Sequence, residues 1–218
     1  MATEPRIRAL VFGAGGHARV IADAIALAGT TDFVAAVTDL ADQVGGTLDG
    51  LPVHAADSAL AALRADGVTH AIIAIGNARA RADIAQRVEA AGLTLLTAVH
   101  PGACVSPHAT IGAGSFLGAG SVVHAGTTIG AGAIVNTGAI VEHDCEIGAW
   151  THIAPRAVVG GHARIGDFAW IGIGATVRDR MTVGAGTMVG AGAVVVRDLP
   201  GDVVAYGNPA RVQPPANP

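Results

Sequence analysis

The chain carries two hydrophobic rhythms. Through about residue 97, short continuous apolar runs alternate with apolar positions at helical spacing. Arg8–Phe12 is such a run, ending at Gly13, and reads as a buried strand. Ala18–Ala28 has helical spacing and stops at Gly29, a residue suited to a C-cap. Phe33–Val37 predicts a second strand and Ala59–Ala65 a short helix. Ala71–Ile75 predicts a third strand ending at Gly76, and Ala78–Ala91 an amphipathic helix before Gly92. Leu93–Val99 leads into the second half of the chain. Strands and helices in alternation predict a small α/β unit on a parallel sheet.

From Val99 an aliphatic residue falls at every sixth position, seventeen times in succession, through Val105, Ile111, Leu117 and so on to Val195. Four residues after each stands a small one, such as Ala103, Ser115, Thr127 or Cys145, with Met181 the large exception before the pattern ends at Leu199. Glycine often succeeds the aliphatic residue, as at Gly112, Gly130, Gly148 and Gly166, which suggests tight backbone geometry. One short strand and one turn per hexapeptide cannot bury an apolar face alone, so the repeats must stack into a parallel β-helix. Three hexapeptides per coil give between five and six coils. The expected division is residues 1–97 as a Rossmann-like half-domain, 98–212 as an all-β parallel β-helix, and 213–218 as a frayed, Pro-rich tail.

Composition narrows the function. Hydrophobic residues make up 51% but aromatics only 3%, so the core is built of Val, Ile, Leu and Ala. A formal charge of −4 with no basic run argues against nucleic-acid binding. No lysine is present, which excludes a Schiff base. Cys104 and Cys145 make no disulfide framework and suit a reducing compartment, and no apolar segment is long enough to span a membrane. The expectation is a soluble, cytoplasmic protein.

The period resembles that of the hexapeptide-repeat acyltransferases. That resemblance, not the spacing, implies a left-handed β-helix, a homotrimer and acetyl-CoA held between neighbouring subunits. Chemistry is then sought where the repeat is broken, and the sharpest break is Val141-Glu-His-Asp-Cys145. An imidazole such as His143 suits proton removal from an attacking amine near neutral pH. A carboxylate such as Asp144 could orient it. Cys145 falls on a small inward position and reads as core. In the first half, Gly13-Ala-Gly-Gly-His-Ala18 comes after a strand and opens a helix, with Asp39 about 20 residues on, as in a dinucleotide fingerprint. About 90 residues suffice for one mononucleotide-binding half only, and a helix N-terminus suits a diphosphate.

The stretch Asn136-Thr-Gly-Ala-Ile-Val-Glu-His-Asp-Cys-Glu-Ile-Gly148, with Thr151-His152-Ile153, closely resembles the nucleotide-amino-sugar N-acetyltransferases of bacillosamine and perosamine biosynthesis. Sialic acid O-acetyltransferase-like proteins share the layout. The closing Ala205-Tyr-Gly-Asn-Pro-Ala-Arg211 is also similar to the family's C-terminal signature. The resemblance implies acetyl transfer from acetyl-CoA to the 4-amino group of a UDP- or GDP-linked 4-amino-4,6-dideoxy sugar, without metal. It implies His143 as base and Asp144 as its orienting acid. His152, Gly161, Ile173 and Ala191 would contact acetyl-CoA, His152 and the Gly161 N–H at the acetyl oxygen. Gly15, Gly16, His17, Thr38, Asp39 and Gly76 would bind the nucleotide sugar. O-acetylation of sialic acid or another free sugar is the alternative and would leave the first half without a ligand. A three-histidine zinc hydro-lyase is disfavoured, because no two of the nine histidines stand five apart. A non-enzymatic scaffold is disfavoured by His143, Asp144 and His152 occurring together.

Overall fold

The computed structural model describes residues 6–214; residues 215–218 of the expected tail lie outside them. Contacts divide the chain into two compact units between Pro101 and Gly102. Among the described residues no helix is long and apolar enough to cross a membrane.

The first unit is a six-stranded sheet flanked by helices. In chain order its elements are β1 (Ile7–Phe12), α1 (Gly16–Ala28), β2 (Thr31–Thr38), β3 (Thr47–Leu48), β4 (Leu51–Ala55), α2 (Ala56–Ala65), β5 (His70–Ile73), α3 (Ala78–Ala90) and β6 (Thr94–Leu95). The strand order is β3-β4-β2-β1-β5-β6, parallel except for the β3–β4 hairpin. Ala9, Leu10, Val11 and Phe12 are fully buried because helices cover both faces of a central parallel strand. Ala18, Ile21, Ala24 and Ile25 are the apolar stripe that docks α1, which ends at Gly29 in the left-handed region, φ 67°. The strand expected at Ala71–Ile75 stops at Ile73. Beyond it, the Ile75 and Gly76 carbonyls turn to accept from Arg81 Nη1 at 3.0 and 2.7 Å. The chain leaves β1 towards β2 and later returns to β1's other side as β5, so a crevice opens at the carboxyl ends of these strands, where parallel α/β sheets bind ligands.

The second unit is a parallel β-helix with three faces. The first face stacks Phe116–Leu117, Ile134–Val135, His152–Ile153, Trp170–Ile171 and Met188–Val189. The second stacks Cys104–Val105, Val122–Val123, Ile140–Val141, Val158–Val159, Thr176–Val177 and Val194–Val195. The third stacks Thr110–Ile111, Thr128–Ile129, Glu146–Ile147, Arg164–Ile165 and Thr182–Val183. Each face leads into the like-numbered corner, and neighbouring coils are 18 residues apart. From Leu117 to Val195 every sixth aliphatic residue is buried; Val105 and Ile111 are half-buried and Val99 is exposed.

Where the small inward position is polar, most hydroxyls are satisfied, the buried Ser121 Oγ being the exception. Ser115, Thr127, Thr151 and Thr187 donate to the carbonyls of Gly130, Glu142, Gly166 and Pro200 at 3.0, 2.6, 3.0 and 2.6 Å. The glycines after the aliphatic residues serve close approach, not an unusual φ. A Cβ on Gly112, Gly130, Gly148 or Gly166 would lie 2.4–2.5 Å from a backbone nitrogen of the next coil. Left-handed backbone occurs instead at the second residue of each turn from Gly114 to Gly192. Glycine holds it at Gly114, Gly120 and Gly126, but Asp144, Trp150, Arg156, His162 and Phe168 hold it with φ of 57–60°.

Candidate functional sites in the two units

His143 and Asp144 form the turn at the second corner, between Ile140–Val141 and Glu146–Ile147. The left-handed Asp144 swings its carboxylate back beside the ring, and Nδ1 of His143 lies 2.8 Å from Asp144 Oδ2. Nδ1 is therefore the donor and Nε2 keeps its lone pair. The hydrogen bond from His143 is the main cause holding the Asp144 carboxyl below its ordinary pKa. Both side chains are about half exposed.

Glycines on either side leave room for this pair. A Cβ on Gly161, one coil beyond His143, would lie 2.8 Å from Nε2, and one on Gly126, one coil before Asp144, would lie 2.4 Å from Oδ1. His162 stacks one coil beyond Asp144. Its ring meets His143 edge-on, with centroids 5.1 Å apart, and its Nε2 is 3.9 Å from Asp144 Oδ2. Cys145 is fully buried, within reach of the Gly160 carbonyl at 3.2 Å, and burial pushes its thiol pKa up.

His152 sits on the first face, the face opposite the second corner, and is 7% exposed. Its Nε2 is 3.0 Å from Asn136 Nδ2, and Asn136 Oδ1 already accepts from the Thr137 N–H at 2.8 Å. The amide therefore donates to Nε2, which places the proton of the neutral ring on Nδ1. The Trp170 ring packs against the imidazole with centroids 4.4 Å apart. Ile173 and Ala191 are exposed neighbours at the first corner, where the Gly192 N–H donates to the Ile173 carbonyl at 2.8 Å. One chain thus brings His143, Asp144 and Gly161 together at one corner. His152, Ile173 and Ala191 lie on the opposite face and at its edge.

In the first unit, α1 begins at Gly16 with Gly15 as N-cap and no side-chain cap. The Ala18 and Arg19 N–H groups turn back to the Gly15 carbonyl at 3.1 and 3.3 Å, and a helix start without a side-chain cap suits an anion. A Cβ on Gly15 or Gly16 would meet nothing within 4 Å, whereas Gly13, at φ 120°, would place one 2.9 Å from the Ala74 carbonyl oxygen. Gly13 is the position where glycine is obligatory. Gly13, Gly15, Thr38, Asp39 and Ile75 line a crevice of about 350 Å³. His17 is pushed down to about 4, chiefly by burial and then by the charge of Arg81. Gly76 belongs to the loop shaped by Arg81, and Asn77 Oδ1 caps α3 through the Ala80 N–H at 3.0 Å. Thr38 is buried, and its hydroxyl donates to Gln43 Oε1 at 3.0 Å while accepting from the Leu40 N–H at 3.1 Å. The Asp39 carboxylate is gripped by both Nη atoms of Arg87, at 2.7 and 3.0 Å, and Arg87 also reaches Asp57 at 2.9 Å.

Sequence reasoning does not pick out Arg81, Arg87, Asn136 or His162. Asn136 carries only its place at the head of the family-like stretch, and His162 only its adjacency to Gly161. Nothing in an amphipathic helix pattern marks Arg81, which is 1% exposed.

A nucleotide-type α/β crevice in one unit and a hexapeptide β-helix with a histidine–carboxylate corner in the other define a two-unit hexapeptide transferase. The PglD N-terminal domain family matches residues 8–88, and the bacterial transferase hexapeptide family matches 126–161 and 162–197. Comparison with curated proteins gives no match. PerB from Caulobacter crescentus, solved with CoA and GDP-perosamine, is 39% identical, with 98% of this chain and 100% of that chain covered and a TM-score of 0.91. The acetyltransferase domain of PglB from Neisseria gonorrhoeae, solved with acetyl coenzyme A, is 41% identical, with 96% and 100% covered and a TM-score of 0.88. WeeI from Acinetobacter baumannii is 29% identical, with 96% and 100% covered and a TM-score of 0.86. The chain belongs to this family of hexapeptide-repeat sugar N-acetyltransferases.

Proposed function

We propose that the protein transfers the acetyl group of acetyl-CoA to the 4-amino group of a nucleotide-linked 4-amino-4,6-dideoxy sugar, with His143 as general base. The observation that carries this reading is the His143–Asp144 pair, in which Nδ1 donates to the carboxylate and Nε2 is left with a lone pair at an exposed corner. The neutral amine attacks the thioester carbon, His143 Nε2 takes the proton as the C–N bond forms, and the C–S bond breaks with its electron pair leaving on the CoA sulfur. Asp144 fixes the tautomer and stabilises the imidazolium. The Gly161 N–H and His152 serve as donors to the acetyl oxygen, where negative charge develops, the buried Nδ1 of His152 turning outward to do so. Ile173 offers exposed apolar surface to the pantetheine arm, next to Ala191.

The working form is a homotrimer. The base, with Gly161 beside it, stands on the opposite side of one prism from His152, Ile173 and Ala191, so a complete site needs the second corner of one subunit against the first face of its neighbour. In the first unit the uncapped start of α1 takes the diphosphate, and Gly15, Gly16, His17, Thr38, Asp39 and Gly76 surround the nucleotide. Asp39 works through its ion pair with Arg87. The enzyme acts in the cytoplasm, in keeping with its two unpaired cysteines.

The test is His143→Ala, assayed by CoA release with a nucleotide-linked 4-amino sugar. The expected loss in kcat is about 10²–10⁴-fold, the usual contribution of a positioned base, with the fold intact. Wild-type turnover in the purified variant would reject His143 as the base.

A further inference from the structure

The second corner holds one more histidine than acetyl transfer uses. His162 comes from the coil after His143 and Asp144, and one donor atom from each of the three residues lies within 4.8 Å of the others. All three side chains are about half exposed. The backbone presents His162 rigidly: it sits in the left-handed region at φ 57°, and its N–H donates to the His143 carbonyl at 3.0 Å.

We propose that His143, Asp144 and His162 form an inhibitory Zn²⁺ site at this corner. Two imidazoles and one carboxylate, with a position left for water, suit Zn²⁺ and do not suit Mg²⁺ or Ca²⁺, which prefer all-oxygen shells. Donors bound tetrahedrally at the usual zinc distances stand about 3.3 Å apart. The 2.8 Å gap between His143 Nδ1 and Asp144 Oδ2 must open and the 3.9 Å gap between His162 Nε2 and the same oxygen must close, each by roughly half an ångström, and the two imidazole donors, within 4.8 Å of each other, must close by up to about 1.5 Å. Half-exposed side chains supply such movement by small rotations.

The position of the ion explains its effect. Zn²⁺ replaces the proton on His143 Nδ1, and in the neutral ring that proton passes to Nε2. No proton is lost overall, but Nε2 becomes a donor and cannot accept from an amine. The ion is therefore an inhibitor and not a cofactor. This consequence rests on His143 being the base; the existence of the site does not.

The experiment uses the chelator-treated full-length protein titrated with Co²⁺, whose visible absorption reports tetrahedral coordination, and then with Zn²⁺. The expected result is one Co²⁺ per chain, bleached by one equivalent of Zn²⁺, with acetyl transfer falling in parallel. His162→Asn keeps a residue tolerant of left-handed backbone. It should weaken metal binding by about 10–100-fold or more and raise the Zn²⁺ concentration for half-inhibition by the same factor. Absence of a stoichiometric Co²⁺ band, or equal affinity in His162→Asn, overturns the site. A Co²⁺ site that forms while Zn²⁺ leaves turnover untouched overturns the inhibition and, separately, the assignment of His143 as base.

Discussion

Gly161→Ala separates catalytic placement from folding better than removal of the base itself. Gly161 does not have a positive φ, so alanine brings no backbone strain there, and the backbone N–H is retained. What changes is the space under the catalytic ring. The new methyl would lie 2.8 Å from His143 Nε2, 2.9 Å from Cε1 and 3.3 Å from Cδ2, all atoms at the end of a rotatable side chain. An ordinary contact needs about 3.5 Å, so the ring must move by roughly 0.7 Å. Displacement of a reacting group by about 1 Å costs on the order of 10²-fold in rate, so kcat should fall roughly 10- to 100-fold. The half-exposed ring can swing into solvent, so the melting temperature should hold. The assay is kcat with a nucleotide-linked amino sugar beside thermal melting of the same preparation. Unchanged kcat with unchanged melting would show that the ring does not work from this position, and the geometric argument would fail.

Gly148→Ala should behave oppositely to Gly161→Ala, because its methyl would lie 2.4 Å from the Asp167 backbone nitrogen, which cannot yield. Overpacking of about 1–3 kcal/mol should lower the melting temperature by several degrees, and an unchanged melt would refute the close-approach role of these glycines. His17 should make the protein acid-sensitive. Its pKa of about 4 in the folded chain against 6.5 unfolded means that its contribution is fully present above about pH 6.5 and is lost as pH falls towards 4. That contribution is worth about 3 kcal/mol at most, so stability measured by denaturant between pH 7 and 4 should fall less in His17→Gln than in wild type, and parallel curves would contradict the burial argument. Ellman's reagent should titrate only Cys104 in the native protein and Cys145 after denaturation, and two fast native thiols would contradict the buried, hydrogen-bonded setting of Cys145.

Much of the β-helix is legible in the sequence for physical reasons. A hexapeptide coil exposes its period because one aliphatic residue per strand must point inward, and Leu117 to Val195 do so without exception. Cys145 is readable as core by the same rule. The role of the glycines is only half legible: sequence marks where glycine recurs but not whether φ or a neighbouring coil demands it. Asp144 and His162 show this, holding left-handed backbone at positions given to glycine in other coils. In the first unit, Asp49–Gly50 is a turn signal between Leu48 and Leu51, yet β3 is two residues long and too short to show alternation. Arg81 and the Arg87–Asp39 pair are illegible because they depend on which carbonyls and carboxylates the fold brings to them. The separation of His143 from His152 needs the count of faces and corners, which sequence alone allows but does not emphasise.

The most direct test of the account is mass spectrometry of acceptors incubated with acetyl-CoA and the purified protein. The panel holds UDP- and GDP-linked 4-amino-4,6-dideoxy sugars, the free amino sugars and free sialic acid. The expected result is one acetyl group on the amine of a nucleotide-linked sugar, matched by one CoA released, with little reaction of the free sugars. Acetylation of sialic acid alone, or of free sugars as readily as nucleotide-linked ones, would contradict it.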